Sequence, residues 1–241
     1  MVGCARNNAT RVWVKRFEIM EFLKNIEAVI LAGGDYPIAQ TPLAILSSAS
    51  YVVCCDGATN EYIARGNRPD AIVGDGDSIS AANREKYASI LHVINEQESN
   101  DQTKAVRFLM AQGKRRIAIV GATGRREDHT IGNVSLLVEY ARMGAEVCSF
   151  TDYGVFVPCS DTTTHRCRKG QVLTSVQRMD RPWSAWLRNC ACTPQRSFTT
   201  VWVSAGSSKC CPANRRSLIS SNVIGAAPFL VFLQRYGVLL R

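Results

Sequence analysis

From residue 26 to about 150, short apolar runs alternate with stretches patterned for helices, and the runs stop repeatedly at glycine and aspartate. Ala28–Ala32 reads as a buried strand ending at Gly33-Gly34-Asp35, and Tyr51–Cys55 as a second ending at Asp56-Gly57. Ala71–Val73 ends at Gly74-Asp75-Gly76-Asp77, Arg116–Val120 at Gly121, and Glu146–Phe150 shortly before Asp152, with Leu91–Ile94 a further candidate. Helices are predicted between them over Thr59–Arg65, Ala81–Ile90, Asp101–Gln112 and His129–Met143, with Ser80 as an N-cap and Gly66, Gly113 and Gly144 as stops. Strands that alternate with helices in this way predict an α/β fold built on a doubly wound, mainly parallel sheet.

In such a sheet, ligands bind beyond the carboxyl ends of the strands. Asp35, Asp56, Asp75, Asp77 and Asp152 follow those ends, and Asp101 and Asp128 open the next helices. Gathered carboxylates raise one another's pKa unless a cation neutralises them. Oxygen ligands suit a hard ion such as Mg²⁺, which commonly takes one or two carboxylates together with water and substrate phosphates. Asp75-Gly76-Asp77 fits such a site, since residues two apart on an extended segment point the same way and Gly76 lets the backbone turn closely. Plainer readings stand beside this one. Asp35 and Asp56 suit turns next to glycine, and Asp101 and Asp128 suit helix N-caps.

Phosphate chemistry also needs positive groups. Lys104 lies one turn into the helix opened by Asp101. The loop from Gly121 to His129 carries Arg125 and Arg126 between a strand and a helix, where backbone N–H groups and guanidinium forks can meet phosphate. The sequence contains neither G-x-x-x-x-G-K-[ST] nor G-x-G-x-x-G, so neither a P-loop nor a dinucleotide-binding turn is indicated.

Five motifs now stand in order: Gly34-Asp35; Cys55-Asp56-Gly57-Ala58-Thr59-Asn60; Gly74-Asp75-Gly76-Asp77-Ser78; Asp101-Gln102-Thr103-Lys104; and Gly121 to His129 with Asn133. Each is weak alone, but the ordered set resembles the thiamine pyrophosphokinase (thiamine diphosphokinase) family over about residues 26–160, with Thr151-Asp152-Tyr153-Gly154 continuing it. The resemblance implies an α/β domain followed by a smaller C-terminal β-sandwich-like domain. It also implies a homodimer with thiamine near the subunit interface, and transfer of the pyrophosphoryl group of ATP to the thiamine hydroxyl, giving thiamine diphosphate and AMP. On this resemblance Asp75, Asp77 and Asp101 hold Mg²⁺ and form the catalytic set. Asp35, Asp56, Thr103, Lys104, Gly124, Arg126, Asp128, His129 and Asn133 surround the ATP, and Ser221 and Asn222 resemble the substrate-facing turn.

The domains implied are an N-terminal extension over 1–25, a catalytic domain over 26–155 and a thiamine-binding β domain over 156–241. The first of these carries Arg6, Arg11, Lys15 and Arg16 ahead of its first acid, Glu18. It reads as a disordered extension or as translation begun upstream of Met20, and only weakly as a transit peptide. The net charge of +9 hides a split: residues 165–241 hold twelve Lys/Arg and one acid, Asp180. Over 166–220, Arg, Ser, Cys and Trp follow neither periodicity, and only Phe229–Leu233 reads as a buried strand. That stretch is a diverged sandwich, a basic tail that binds nucleic acid, or text read out of frame. The alternatives to the kinase reading are therefore an inactive or partly folded member with a nucleic-acid-binding tail, or another Mg²⁺-dependent nucleotide transferase.

The ten cysteines include no C-x-x-C, and Cys190-x-Cys192 with Cys210-Cys211 is poor spacing for zinc. No apolar run is as long as a membrane span and no secretory signal is visible, so reduced thiols and a cytoplasmic location are expected, with no membrane partner and with nucleic acid disfavoured.

Overall fold

The computed structural model describes residues 19–159 and, beyond them, the strand segments 164–166, 172–179, 200–209, 218–220 and 229–234. Helix α1 (Ile19–Lys24) leads into β1 (Ala28–Leu31), α2 (Gln40–Ser47), β2 (Val52–Cys55), α3 (Ala58–Ala64) and β3 (Ala71–Gly74). There follow α4 (Ala81–Lys86), a short 3-10 turn over Ala88–Ile90, β4 (Leu91–Val93), α5 (Asp101–Ala111), β5 (Arg116–Val120), α6 (Glu127–Arg142) and β6 (Glu146–Phe150). The remaining strands are β7 (Gly154–Cys159), β8 (Thr164–Arg166), β9 (Val172–Met179), β10 (Thr200–Lys209), β11 (Leu218–Ser220) and β12 (Phe229–Gln234).

The strands form a ten-stranded sheet in the order β10-β9-β12-β7-β6-β5-β1-β2-β3-β4, with β11 and β8 paired separately. From β6 to β4 every neighbouring pair is parallel. β7 turns back against β6, and the strands beyond it are antiparallel. The chain moves outward from β1 through β2, β3 and β4, then returns along α5 to place β5 on the other side of β1. The point between β1 and β5 is thus the topological switch, where open α/β sheets leave a crevice for ligand.

Helices cover both faces. β1 is buried at all four positions, as a parallel strand between helical layers must be. Val29 and Leu31 pack with Phe22, Ile45, Leu46 and Tyr62, from α1, α2 and α3. Ala28 and Ile30 face Val106 and Leu109 of α5 and Leu137, Val138 and Tyr140 of α6. The doubly wound α/β sheet expected from the sequence is therefore present.

Three local expectations are corrected. Residues 19–24 are helical rather than disordered, because Phe22 fills the core 6.2 Å from the Phe150 ring. The predicted helix Ala81–Ile90 breaks after Lys86 and finishes as the 3-10 turn. The last third holds more strands than its periodicity suggested. The one strand read there, Phe229–Leu233, is present as Phe229–Gln234 and lies between β7 and β9, pairing with both. Ser221 and Asn222 lie outside the described residues.

Candidate active site

Because the six central strands are parallel, their carboxyl ends share one edge of the sheet, and the aspartate-bearing turns lie along it. At the switch point the turn after β1 is stitched to the loop after β5. Gly34 N–H donates to Gly121 O at 2.7 Å and Asp35 N–H to Thr123 O at 2.8 Å. Glycine is required here, since a Cβ on Gly34 would lie 2.3 Å from Thr123 O and 2.5 Å from Gly121 O. Gly124 has φ +85 and its Hα side touches the Asp35 carboxylate.

On the other side of β1, the neighbouring strand β2 runs into Asp56, which is buried and has a left-handed backbone of φ 35. Its Oδ2 accepts from Ser78 N–H at 3.0 Å, and its Oδ1 is buried with no hydrogen-bond partner. Gly74, at the end of β3, separates Asp56 from Asp101: a Cβ there would lie 2.8 Å from Asp56 Cβ and 3.4 Å from Asp101 Cγ. The glycine lets the two acids approach. Burial pushes the Asp101 carboxyl above its ordinary value, Lys104 opposes this through a hydrogen bond and its charge, and the charges of Asp56 and Asp75 add to the rise. Lys104 is 4% exposed and its Nζ lies 3.3 Å from Asp101 Oδ1.

The Asp75-Gly76-Asp77 segment is a turn rather than an extended strand, with Gly76 at φ +80 and Asp77 N–H donating to Asp75 Oδ1 at 3.2 Å. Asp75 is half-buried and Asp77 is exposed, so strand alternation does not put them on one face. Arg84 closes over this turn by donating to Gly76 O. Asn60 ties it down from α3, donating to Ser78 O at 2.8 Å and accepting from Ser80 N–H at 3.1 Å.

Asp101 is not the cap of α5. Asn100 is, with Oδ1 accepting from Thr103 N–H at 2.9 Å and from Thr103 Oγ1 at 2.7 Å, which leaves the Asp101 carboxylate to the site. The Thr103 hydroxyl also meets Tyr140 OH at 2.8 Å, so it faces α6 rather than the open edge. Burial raises the Tyr140 hydroxyl to about 12 against the opposing bonds from Thr103 and Gln102. Asn133 spans the two segments: its Oδ1 accepts from Asn100 Nδ2 at 2.8 Å and its Nδ2 donates to Ala122 O at 2.9 Å.

In the loop after β5, Arg126 is closed on Asp128 through contacts of 3.1 and 2.5 Å. That bond raises the guanidinium and lowers the carboxyl. Asp128 is the second residue of α6 and is not its cap. His129 is exposed. Asp152 is drawn off to structural work, its Oδ1 accepting from the N–H groups of Ile38 and Ala39 at 2.9 and 2.8 Å ahead of α2.

The structure thus brings Asp56, Asp75, Asp101 and Lys104 together, with Asp77 at the rim. It places Asp35, Gly124, Arg126, Asp128 and His129 nearer the switch point. Asn100 and Tyr140 escaped the sequence reading. An Asn immediately before Asp101 with Thr three residues on was the available signal for the first, and Tyr140 had none. The donor set is all oxygen, and the orphaned Asp56 Oδ1 supplies a buried acceptor, so the residues fit a hard cation. Among the described residues no group of three carboxylates or other ligating side chains encloses an ion by itself. A cation here would take its other ligands from water and phosphate, as Mg²⁺ commonly does. No helix among the described residues is long and apolar enough to cross a membrane.

Residues 43–149 match the family described as thiamin pyrophosphokinase, catalytic domain. Thiamine pyrophosphokinase 1 of Oryza sativa subsp. japonica is 28% identical over 116 residues, which span 38% of this chain and 44% of the rice protein, less than half of each. A thiamin pyrophosphokinase family protein from Enterococcus faecalis superposes with a TM-score of 0.57 at 16% identity, over 87% of this chain and 99% of that one. Yeast thiamin pyrophosphokinase gives 0.57 at 13% identity, over 93% of this chain and 92% of that one. At such identities the structural likeness concerns the fold.

Proposed function

We propose, for a chain that belongs through residues 43–149 to the thiamine pyrophosphokinase family, that it transfers the pyrophosphoryl group of ATP to the hydroxyl of thiamine. The observation that carries this reading is the pairing of Asp56 and Asp101 across Gly74, with a buried Asp56 oxygen left without a partner. Uncompensated carboxylate oxygens at the carboxyl edge of an open α/β sheet call for a cation, and a cation there would bring phosphate with it.

One or two of the carboxylates gathered here, Asp56, Asp75, Asp77 and Asp101, would hold Mg²⁺, with water and phosphate completing its shell. When bound, the ion would neutralise phosphate charge that the protein must otherwise offset. Lys104 holds a positive charge one helical turn from the α5 terminus and steadies Asp101. Asn100, Thr103 and Asn133 fix the start of α5 against the loop after β5, and so set the spacing between the carboxylates and that loop. Arg126, Asp128, Gly124, His129 and Asp35 border the switch-point crevice, where the nucleotide would lie. The thiamine hydroxyl would attack the β-phosphorus in line with departing AMP, a transfer governed by positioning and charge more than by covalent catalysis. The expected setting is a cytoplasmic homodimer in which residues 156–241, with Ser221 and Asn222, complete the thiamine site.

Purified protein given ATP, Mg²⁺ and thiamine should form AMP and thiamine diphosphate in equal amounts, and Asp75→Asn combined with Asp77→Asn should abolish both. Release of ADP in place of AMP would refute pyrophosphoryl transfer. Nucleotide turnover indifferent to thiamine would assign the site to another acceptor.

A further inference from the structure

Arg125 differs from its neighbour Arg126. Its backbone is left-handed, at φ 57, a conformation that side chains disfavour because Cβ crowds the following carbonyl. From there the guanidinium reaches back over the switch point. Nη1 donates to Gly33 O at 3.1 Å, Nη2 lies 3.4 Å from Glu61 Oε2, and Nε lies 3.9 Å from Asp35 Oδ1. Glu61 is itself held by Arg65 at 2.9 Å, and Arg65 lies 4.0 Å over the Tyr36 ring.

One side chain therefore joins the loop after β5, the turn after β1, and α3, which starts just past Asp56. Its two carboxylate contacts are long, and half of the side chain is open to solvent. A guanidinium bonds a phosphate more strongly than it bonds a distant, hydrated carboxylate. Arg126, in contrast, already has its fork filled by Asp128.

We propose that Arg125 is the exchangeable cation of the nucleotide site: it rests on Glu61 and Gly33 O in the free protein and trades Glu61 for a phosphate oxygen when nucleotide enters. This rests on the reading of the carboxyl edge as a nucleotide site.

The test is calorimetric titration of Mg²⁺·ATP into the full chain and three variants. Arg125→Gly keeps the left-handed backbone and removes the guanidinium, and it should weaken binding about tenfold, the loss of one charge-assisted bond to phosphate. Glu61→Gln removes the competing carboxylate and should tighten binding about threefold, the scale of a surface ion pair. In the Arg125→Gly background, Glu61→Gln should change nothing. Arg125→Asn, which also tolerates the left-handed region, replaces Arg125→Gly if that variant does not fold. If both single variants weaken binding, the network is a structural tie and the exchange is overturned; if neither alters it, Arg125 does not meet phosphate. Wild-type protein that binds no nucleotide would instead defeat the reading of the site itself.

Discussion

Lys104 Nζ lies 3.3 Å from Asp101 Oδ1, with the lysine side chain 4% exposed and the carboxylate 33% exposed. The pair is unequal: the cation is enclosed, while the anion can still hydrate and still faces Asp56 and Asp75. Lys104→Met should therefore leave Asp101 with only repulsive neighbours. The expected cost is about 1–2 kcal/mol at pH 7.5, below the range for breaking a fully buried pair because water reaches Asp101. Urea unfolding at pH 7.5 and pH 5 checks this. Because the Asp101 carboxyl is raised, it gains a proton progressively as pH falls, so the cost should be smaller at the lower pH, and an equal cost at both values would count against the assignment.

The raised Asp101 carboxyl gives a second expectation with a definite sign. Burial is the leading cause, and Asp56 and Asp75 reinforce it against Lys104. Between the ordinary aspartate value and the raised folded value, the native state binds more protons than the unfolded chain, so this group's contribution to stability falls as pH rises. Above the folded value the cost is fully present. Asp101→Asn should then be at least as stable as wild type at pH 7, while abolishing pyrophosphoryl transfer. The stability gap should close as pH falls toward 4. The comparison must be between variant and wild type, because Glu27, lowered by the backbone N–H groups of Arg116 and Arg115, loses its own contribution over the same acid range.

Two glycines of the switch point rank differently. A Cβ on Gly34 would meet the backbone oxygens of Thr123 and Gly121, atoms fixed in the ladder between the two loops. A Cβ on Gly124 would meet the exposed Asp35 carboxylate, which can swing away, and Asp35 Cβ at 2.9 Å, which moves only with its backbone, so a small shift of that turn is added to the unfavourable φ of +85. Gly34→Ala should cost more than about 3 kcal/mol, and Gly124→Ala about 1 kcal/mol. Thermal unfolding distinguishes them, and a reversed order would mean that the loops are not stitched as described.

The parts of this protein that could be read in sequence are those where local chemistry and tertiary role agree. β1, β2 and β5 are continuous apolar runs because both sheet faces are covered, and Asp56 and Asp101 could be placed at the sheet edge because turns and helix starts are short-range features. Asp75 and Asp77 were misjudged in geometry. Whether Gly76 continues a strand or turns depends on φ, which the letter G leaves free. Arg126 and Asp128 could be named but not their mutual closure, and Thr103 could be named but not its rotation toward Tyr140, since both depend on partners outside their own helix turn. Beyond β7, strands such as β10 carry Ser, Gly and Lys among their apolar residues, so their alternation is too weak to register in sequence.

The orphaned oxygen of Asp56 gives the sharpest expectation. Asp56→Asn retains an oxygen for the Ser78 N–H and removes one of three neighbouring negative charges, so the unliganded protein should unfold at an unchanged or higher temperature. If the site takes Mg²⁺·ATP as proposed, wild-type protein at a hundred times the Kd should gain about 2.7 kcal/mol, or roughly 5–10 °C in Tm for a domain of this size. Asp56→Asn should lose most of that gain, because an amide is a poorer ligand for a hard cation than a carboxylate. Omitting Mg²⁺ from the wild type should have the same effect. If Asp56→Asn shows the full wild-type shift with Mg²⁺·ATP, the unpartnered oxygen serves some purpose other than holding the ion, and the metal would have to be assigned to Asp75, Asp77 and Asp101 without it.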